Sequence, residues 1–390
     1  MSSSSSGGDF LPFAKPSIGD AEIAEVTACL RSGWITTGPR VQQFEQALRD
    51  YFGGTREVLA LANATAGLHL ALLALDLKPG DEVITTPLTF AATLNMIVAA
   101  GGRPVLVDII PGTYNLDPDA LAHARTRRTR AILPVHFAGR PADLAPIYAF
   151  AARHGLRVIE DAAQAIGAEY GGQRLGSFGD VQVFSFHPNK NMTTGEGGCV
   201  VTADPKLARA ISVMRFHGID REAWNRYARA GSALYDVVAP GFKYNMMDLQ
   251  AALGLHQLPR LDGFNRRRAE LAARYWELLC RCPGLTLPLP AEAGQRHVWN
   301  LYTPLVEPQA VLGRDEFVEQ MKARNIGVGL HYQAIHLHSY YRKQYGFRPG
   351  DFPEAEKVSA GTVTLPLFPD MTTADQDRVV AAVQELMTCR

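Results

Sequence analysis

The sequence predicts an α/β protein: a mostly parallel sheet covered by helices, followed by a smaller C-terminal α+β unit. Three observations lead there. Between Val58 and Phe216 short β-type runs alternate with helical patterns, which is how a parallel sheet covered on both faces reads in sequence. From Met247 the alternation gives way to one long helical stretch. The chain's 390 residues also exceed what one compact core organises, so two domains are expected.

Residues 1–9, rich in Ser and Gly, read as a flexible leader. Ala21–Leu30 carries a short helical pattern that stops near Gly33, and SGWITTGPRV crosses to a second pattern at Phe44–Phe52. Trp34 stands out in that loop, as a capped core aromatic or as a ligand contact. β-type runs are expected at Val58–Leu61, Glu82–Thr85, Pro104–Val107, Ala131–Val135, Leu156–Ile159, Val181–Phe186 and Cys199–Thr202. Helical patterns separate most of them, at Ala66–Leu75, Ala91–Ala100, Pro118–Arg125, Asp143–His154 and Lys206–Phe216. Residues 10–250 form the expected large domain. Residues 251–390 form the small one, entered through a helical stretch broken near Pro259. It carries β-type runs near Asn300–Leu305 and Gly327–Leu330, and helices at Arg314–Asn325 and Thr373–Met387.

Lys plus Arg and Asp plus Glu stand at 39 each, so charge points to no nucleic-acid or membrane partner. The five cysteines are few and scattered, which suits a reduced compartment without a disulfide framework. Cys280-x-Cys282 lacks the second pair a zinc site needs, and no metal is expected. No apolar run reaches the roughly eighteen residues of a membrane span, and the leader has neither the basic start nor the apolar centre of a secretion signal. A cytoplasmic protein is expected.

The chemistry concentrates between Val158 and Gly198. One strand ends in Glu160, Asp161 and, a helical turn on, Gln164; the next ends in Ser185 and leads to Lys190. Open α/β sheets place their ligands past the carboxyl ends of strands. An acid-x-x-Gln followed by Ser-x-x-x-x-Lys in the next unit suggests pyridoxal 5'-phosphate (PLP). Lys190 would supply the Schiff-base nitrogen and Asp161 the carboxylate that keeps the pyridine nitrogen protonated. Asp161 also reads as a helix cap, and Glu160 competes with it. PLP further needs N–H groups at a helix start for its phosphate. Asn63-Ala64-Thr65 sits between a strand and a helix in that way, although a plain N-cap reads the same. Phe90, just past a strand, is a stacking ring or a core aromatic. No G-x-G-x-x-G follows the first strand, which speaks against a nicotinamide enzyme.

The stretches SGWITTGP, ATAGLHLAL, GDEVITTPLTF, PVHFAGRPADL, VIEDAAQAIG, FSFHPNKNMTTGEGG, PGFKYNMMDLQAALG and LPLFPDMT resemble the DegT/DnrJ/EryC1/StrS sugar aminotransferases, fold-type I PLP enzymes related to aspartate aminotransferase. The resemblance runs from about residue 10 to 385. It implies Lys190 and Asp161 as the catalytic pair, Gln164 on the cofactor's ring oxygen and Phe90 stacked on its face. Ala64, Thr65 and Ser185 would hold the phosphate. It also implies a homodimer in which Lys243 and Asn245 reach the partner's site, with Lys243 standing where most members carry Asn. Trp34, His331 and Tyr332 fall on the substrate side. The implied reaction takes an amino group from glutamate, releasing 2-oxoglutarate, to the 4-keto group of a nucleotide-linked sugar. DFLPFAKP, GLHYQAIH and LPLFPDMTTADQD are most similar to members acting on a UDP-4-keto-pentose of the L-arabinose type in lipid A modification. Those members carry His at Gln164 and Trp at Phe90. A UDP- or dTDP-4-keto-6-deoxyhexose is the alternative substrate. A non-catalytic PLP-binding regulator is a further alternative, and it would be expected to carry an effector segment that this sequence does not show.

Overall fold

The computed structural model describes residues 9–220 and 235–388. The expected leader therefore lies, but for Asp9, outside the described residues. Two helices, α1 (Asp20–Ser32) and α2 (Pro39–Tyr51), precede strand β1 (Glu57–Leu61). The alternation then unfolds as expected: α3 (Ala64–Leu73), β2 (Glu82–Thr85), α4 (Ala91–Ala99), β3 (Arg103–Leu106), the short α5 (Leu121–Ala124), β4 (Thr129–Ile132), α6 (Leu144–His154) and β5 (Arg157–Asp161). Two short strands, β6 (Glu169–Tyr170) and β7 (Gln173–Arg174), come before β8 (Val181–Ser185), β9 (Gly198–Thr202) and α7 (Pro205–Met214).

The central sheet has seven strands in the order β1-β9-β8-β5-β4-β2-β3. Every pairing is parallel except those of β9, which runs antiparallel to both neighbours. The reason lies in the connection. No helix separates β8 from β9, and without a crossover the chain can only turn back. β2, β8 and β9 are buried at every position and β5 at all but its first, as strands covered on both faces must be. Helix α3 lies against this sheet so closely that a Cβ on Gly67 would come within 2.7 Å of a Val183 methyl.

The break near Pro259 is a turn of 3-10 helix between α8 (Asp248–Gln257) and α9 (Leu261–Leu279). Helix α9 spans two cores: Leu261 belongs to the cluster around Phe44, Ile132 and Phe184, whereas Leu271, Tyr275 and Leu279 pack with Tyr302, Phe317, Val379 and Val383. Leu11 joins that second cluster, so the chain's first described residues pack on its C-terminal part.

The C-terminal unit is less regular than its sequence pattern suggests. Strand β10 (Leu285–Thr286) pairs with β12 (Leu305–Val306), and β11 (Gln295–Arg296) joins β6 and β7. Of the expected run at Asn300–Leu305 only the last residue enters a strand, β12, while Tyr302 makes an isolated bridge to Leu365; the run at Gly327–Leu330 is reduced to a bridge from Gly329 to Thr364. Helices α10 (Arg314–Ala323) and α13 (Thr373–Thr388) stand where expected. Two others, α11 (Ser339–Tyr345) and α12 (Pro353–Gly361), had no clear apolar period to announce them. Among the described residues no helix is long and apolar enough to cross a membrane.

Candidate active site

A cavity of about 390 Å³ opens at the carboxyl ends of β2, β5 and β8. Its lining brings together Ala64, Thr65, Phe90, Asp161, Gln164, Ser185, Lys190, His331 and Tyr332, nine of the residues singled out in the sequence. Asn63 lines it too, whereas Trp34, Glu160, Lys243 and Asn245 lie outside it.

The start of α3 forms one wall. The Asn63 side chain caps the helix, accepting from the Ala66 N–H at 2.8 Å, and its carbonyl accepts from Gly67. The N-cap reading of this segment holds, and the cap leaves the N–H groups of Ala64 and Thr65 without an intrahelical acceptor. Gly198 backs this wall. A Cβ there would sit 2.6 Å from the Ala64 nitrogen. Ser185 closes the cradle; its Oγ accepts from the His187 N–H at 3.3 Å and keeps its own proton to donate.

Alternation along β5 separates the two candidate carboxylates. Glu160 turns away from the cavity and accepts from His136 Nε2 (2.9 Å), Gln182 Nε2 (2.8 Å) and Tyr148 Oη (2.5 Å). Asp161 lines the cavity. Its Oδ2 accepts from Thr93 Oγ1 at 2.7 Å and its Oδ1 from the Ala163 N–H at 3.2 Å, which leaves each oxygen a lone pair. Gln164 is fixed in orientation: its Oε1 accepts from the Ala138 N–H (2.6 Å), so its amide nitrogen donates to Tyr332 Oη (2.7 Å).

Lys190 sits in the turn after β8. Its side chain keeps some surface toward the cavity, but the protein packed around it removes water, and burial pushes its ammonium pKa down to about 8. The Asp161 carboxylate opposes that shift only in part. The turn is clamped from outside by buried amides. Asn300 Nδ2 donates to the Asn189 carbonyl and to Asn191 Oδ1, both at 2.9 Å, while Asn191 Nδ2 donates to Asn265 Oδ1 (2.6 Å) and the Val298 carbonyl (2.7 Å).

His331 and Tyr332 enter from the C-terminal unit. Burial, with the Lys190 charge second, brings His331 down to about 4, and its Nδ1 is engaged by Thr364 Oγ1 at 2.7 Å. Burial pushes the Tyr332 phenol well above its usual range. Phe90 is no core aromatic. It is 59% exposed at the cavity wall, with its ring 5.9 Å from that of Tyr332. Trp34 stays within its own loop, where its Nε1 donates to the Thr37 carbonyl at 3.1 Å. Lys243 donates to Asn245 Oδ1 at 2.9 Å, and Asn245 in turn donates to Thr37 Oγ1.

Sequence reasoning missed Thr89, Thr93, the Ala138 N–H and the asparagine clamp. The threonines of TTPLTFAAT were the available signal, since hydroxyls beside one strand end can reach a carboxylate at the end of another strand of the same sheet.

The model of the DegT/DnrJ/EryC1/StrS aminotransferase family matches residues 16–384. The chain belongs to that family. This aminotransferase is 47% identical over 380 residues to the spore coat polysaccharide biosynthesis protein SpsC of Bacillus subtilis, covering 97% of each chain. Its fold matches Spr1654 of Streptococcus pneumoniae in the PLP form, with a TM-score of 0.88 and 31% identity over 97% of this chain and 98% of that one. It also matches Helicobacter pylori PseC, an aminotransferase of pseudoaminic acid biosynthesis, with a TM-score of 0.90 and 27% identity over 97% and 99% of the two chains. The aminotransferase is a PLP enzyme of the α/β fold-type I class, and its cavity suits that cofactor. A phosphate fits the N–H cradle that a Cβ on Gly198 would crowd, and a lysine stands beside a carboxylate with lone pairs to spare.

Proposed function

We propose that this aminotransferase moves an amino group from glutamate to the 4-keto group of a nucleotide-linked sugar. One observation carries the reading: a lysine brought down to about 8 shares a cavity of about 390 Å³ with Asp161, Gln164 and the start of α3. The N–H groups of Ala64 and Thr65 and the Ser185 hydroxyl would hold the PLP phosphate, Asp161 its ring nitrogen, Gln164 its ring oxygen and Phe90 its face. When bound, PLP supplies the electron sink that makes a C–H proton of the amino donor removable.

Lys190 Nζ takes that proton and returns it. Near pH 8 about half of such lysines are free bases, against roughly 0.3% for a lysine at its ordinary value. At neutral pH His331 is uncharged. With Nδ1 engaged by Thr364, its Nε2 is left for a sugar hydroxyl. The Tyr332 hydroxyl, held by Gln164, offers a neutral donor beside it.

A UDP-4-keto-pentose of the L-arabinose type is the first substrate to test, supported by the segments around Phe13, His331 and Asp370. A UDP- or dTDP-4-keto-6-deoxyhexose is the second, supported by Gln164 and Phe90, which differ from the residues of the pentose enzymes. The product would serve cell-surface polysaccharide or lipid A modification, a role that the name of SpsC supports for the former. The working unit would be a cytoplasmic homodimer. Lys243 and Asn245 lie outside their own protomer's cavity, as residues contributed to a partner's site would. The sugar side of the partner's cavity is also where Trp34 would act.

A panel of UDP- and dTDP-4-keto sugars with glutamate, read by 2-oxoglutarate release and by the aminated sugar, tests the reading. Turnover with one nucleotide sugar, lost in Lys190→Ala, is expected. A Lys190→Ala variant of normal activity, or bound PLP whose colour glutamate leaves unchanged, would overturn it.

A further inference from the structure

A carboxylate that must meet a ring nitrogen needs a fixed plane, and its terminal torsion is otherwise broad. The bond from the Ala163 N–H to Asp161 Oδ1, at 3.2 Å and within the same turn, leaves that plane loosely set. A second bond comes from a different element. Thr93, in the first turn of α4, donates to Asp161 Oδ2 at 2.7 Å, and Thr89 Oγ1 lies 2.7 Å from Thr93 Oγ1. Thr93 is fully buried and Thr89 nearly so. The direction of this chain follows from proton counting. Thr93 has one hydroxyl proton, and the carboxylate takes it, so the Thr89 proton points to Thr93. Threonines in helices commonly spend that proton on a carbonyl of the preceding turn; Thr93 spends it across the site.

We propose that Thr93, backed by Thr89, is a positioning residue that pins the Asp161 carboxylate in the orientation that meets the cofactor's ring nitrogen. The proposal rests on the reading that Asp161 faces that nitrogen. Few other groups can substitute. Lys190, from the turn after β8, and Tyr332, from the C-terminal unit, are the titratable groups that feel the Asp161 charge. His331 shares the cavity but is engaged by Thr364. On β5 itself Glu160 faces the other way, and His136, whose backbone N–H holds the Asp161 carbonyl, commits its ring to Glu160. Helix α4 and strand β8 carry no titratable residue, and His69, the only one on α3, turns its ring to Tyr244.

The test compares wild type, Thr93→Val, Thr93→Ser and Asp161→Asn, each loaded with PLP. Two quantities are read besides turnover: the pH midpoint of the bound cofactor's visible band and the PLP dissociation constant. Thr93→Val keeps the shape of the side chain and removes the donor. It should raise the dissociation constant about tenfold, the scale of one hydrogen bond to a charged group, and move the midpoint toward higher pH, because a ring nitrogen that holds its proton less firmly draws less electron density from the nitrogen shared with Lys190, whose titration the visible band reports. Thr93→Ser should recover most of both. If Thr93→Val does not fold, Thr89→Val is read for a smaller shift in the same direction. Wild-type midpoint and affinity in Thr93→Val, with both altered in Asp161→Asn, would overturn the positioning role alone. A wild-type midpoint in Asp161→Asn as well would overturn the placement of Asp161 on which it rests.

Discussion

In the protein freed of PLP, Lys190→Met should stabilise the fold at neutral pH. The Lys190 ammonium is held at about 8 against an ordinary 10.5, because burial costs its charge more than Asp161 returns. Below pH 8 the lysine is protonated in both the folded and unfolded chains, and the whole cost of the buried charge weighs on the fold. Between 8 and 10.5 the folded state sheds its proton first and the cost fades; above 10.5 both states are neutral and it is gone. At about 1.4 kcal/mol per tenfold change in proton affinity the depression is worth about 3 kcal/mol, and the side chain's remaining access to water in the cavity lowers that to about 2 kcal/mol. Methionine keeps most of the stem's apolar volume without the charge. Urea unfolding of wild type and variant at pH 7 and pH 10.5 reads the difference, and other titrating groups cancel between the two. The variant should be more stable by about 2 kcal/mol at pH 7, with the gap closing toward zero at pH 10.5. A gap independent of pH, or a variant less stable at pH 7, would refute the reasoning.

Two further substitutions address the walls of the site. Gly198→Ala places a methyl 2.6 Å from the Ala64 nitrogen and 2.8 Å from the Phe184 carbonyl oxygen, backbone atoms that cannot swing aside. It should cost about 1–3 kcal/mol of stability and at least about tenfold in PLP affinity, read by absorbance titration of the apoprotein; an unchanged titration would show that α3 starts elsewhere than the phosphate site. Asn300→Ala leaves the Asn189 carbonyl and Asn191 Oδ1 without their donor on either side of Lys190. It should cost about 2–3 kcal/mol in thermal unfolding and lower kcat, and an unaltered kcat would confine the clamp to stability.

The order of strands and helices from β1 to α7 was legible because each element carries its own period and punctuation. The reactive pair was legible for a related reason: Asp161 closes one strand and Lys190 stands in the turn after another. What stayed hidden depends on residues far apart in the chain. Asn189 and Asn300 are 111 positions apart, and an asparagine beside a lysine or a tryptophan announces nothing by itself. Thr93 reaches Asp161 across 68 positions. The reversal of β9 had a local signal, the missing helix after β8, that the β-type run alone does not convey. Trp34 drew notice as a large aromatic among small residues, and much of that pattern is explained by Gly38, where a Cβ would collide with the indole. Helices α11 and α12 are short and owe their form to packing, as around the Tyr341 and Ala355 side chains, more than to a stripe of their own.

Glu160 and Asp161 show why burial alone does not separate a structural carboxylate from a functional one. Both are buried, both are adjacent on one strand, and both accept hydrogen bonds. Their difference is acceptor capacity. His136 accepts the Ala142 N–H at Nδ1, so its Nε2 carries the proton that goes to Glu160, and Gln182 and Tyr148 bring the donors on Glu160 to three. Those three donors come from elements around the central sheet, so Glu160 ties β5 to β8, α6 and the loop after β4. Asp161 receives one donor on each oxygen, and the lone pairs that remain open into the cavity. The same test separates the lysines: Lys78 is exposed and paired with Asp76, whereas Lys190 lines the cavity and is depressed by burial. A polar group that its own chain satisfies only in part, placed where a strand ends and a cavity begins, is held in readiness for a ligand.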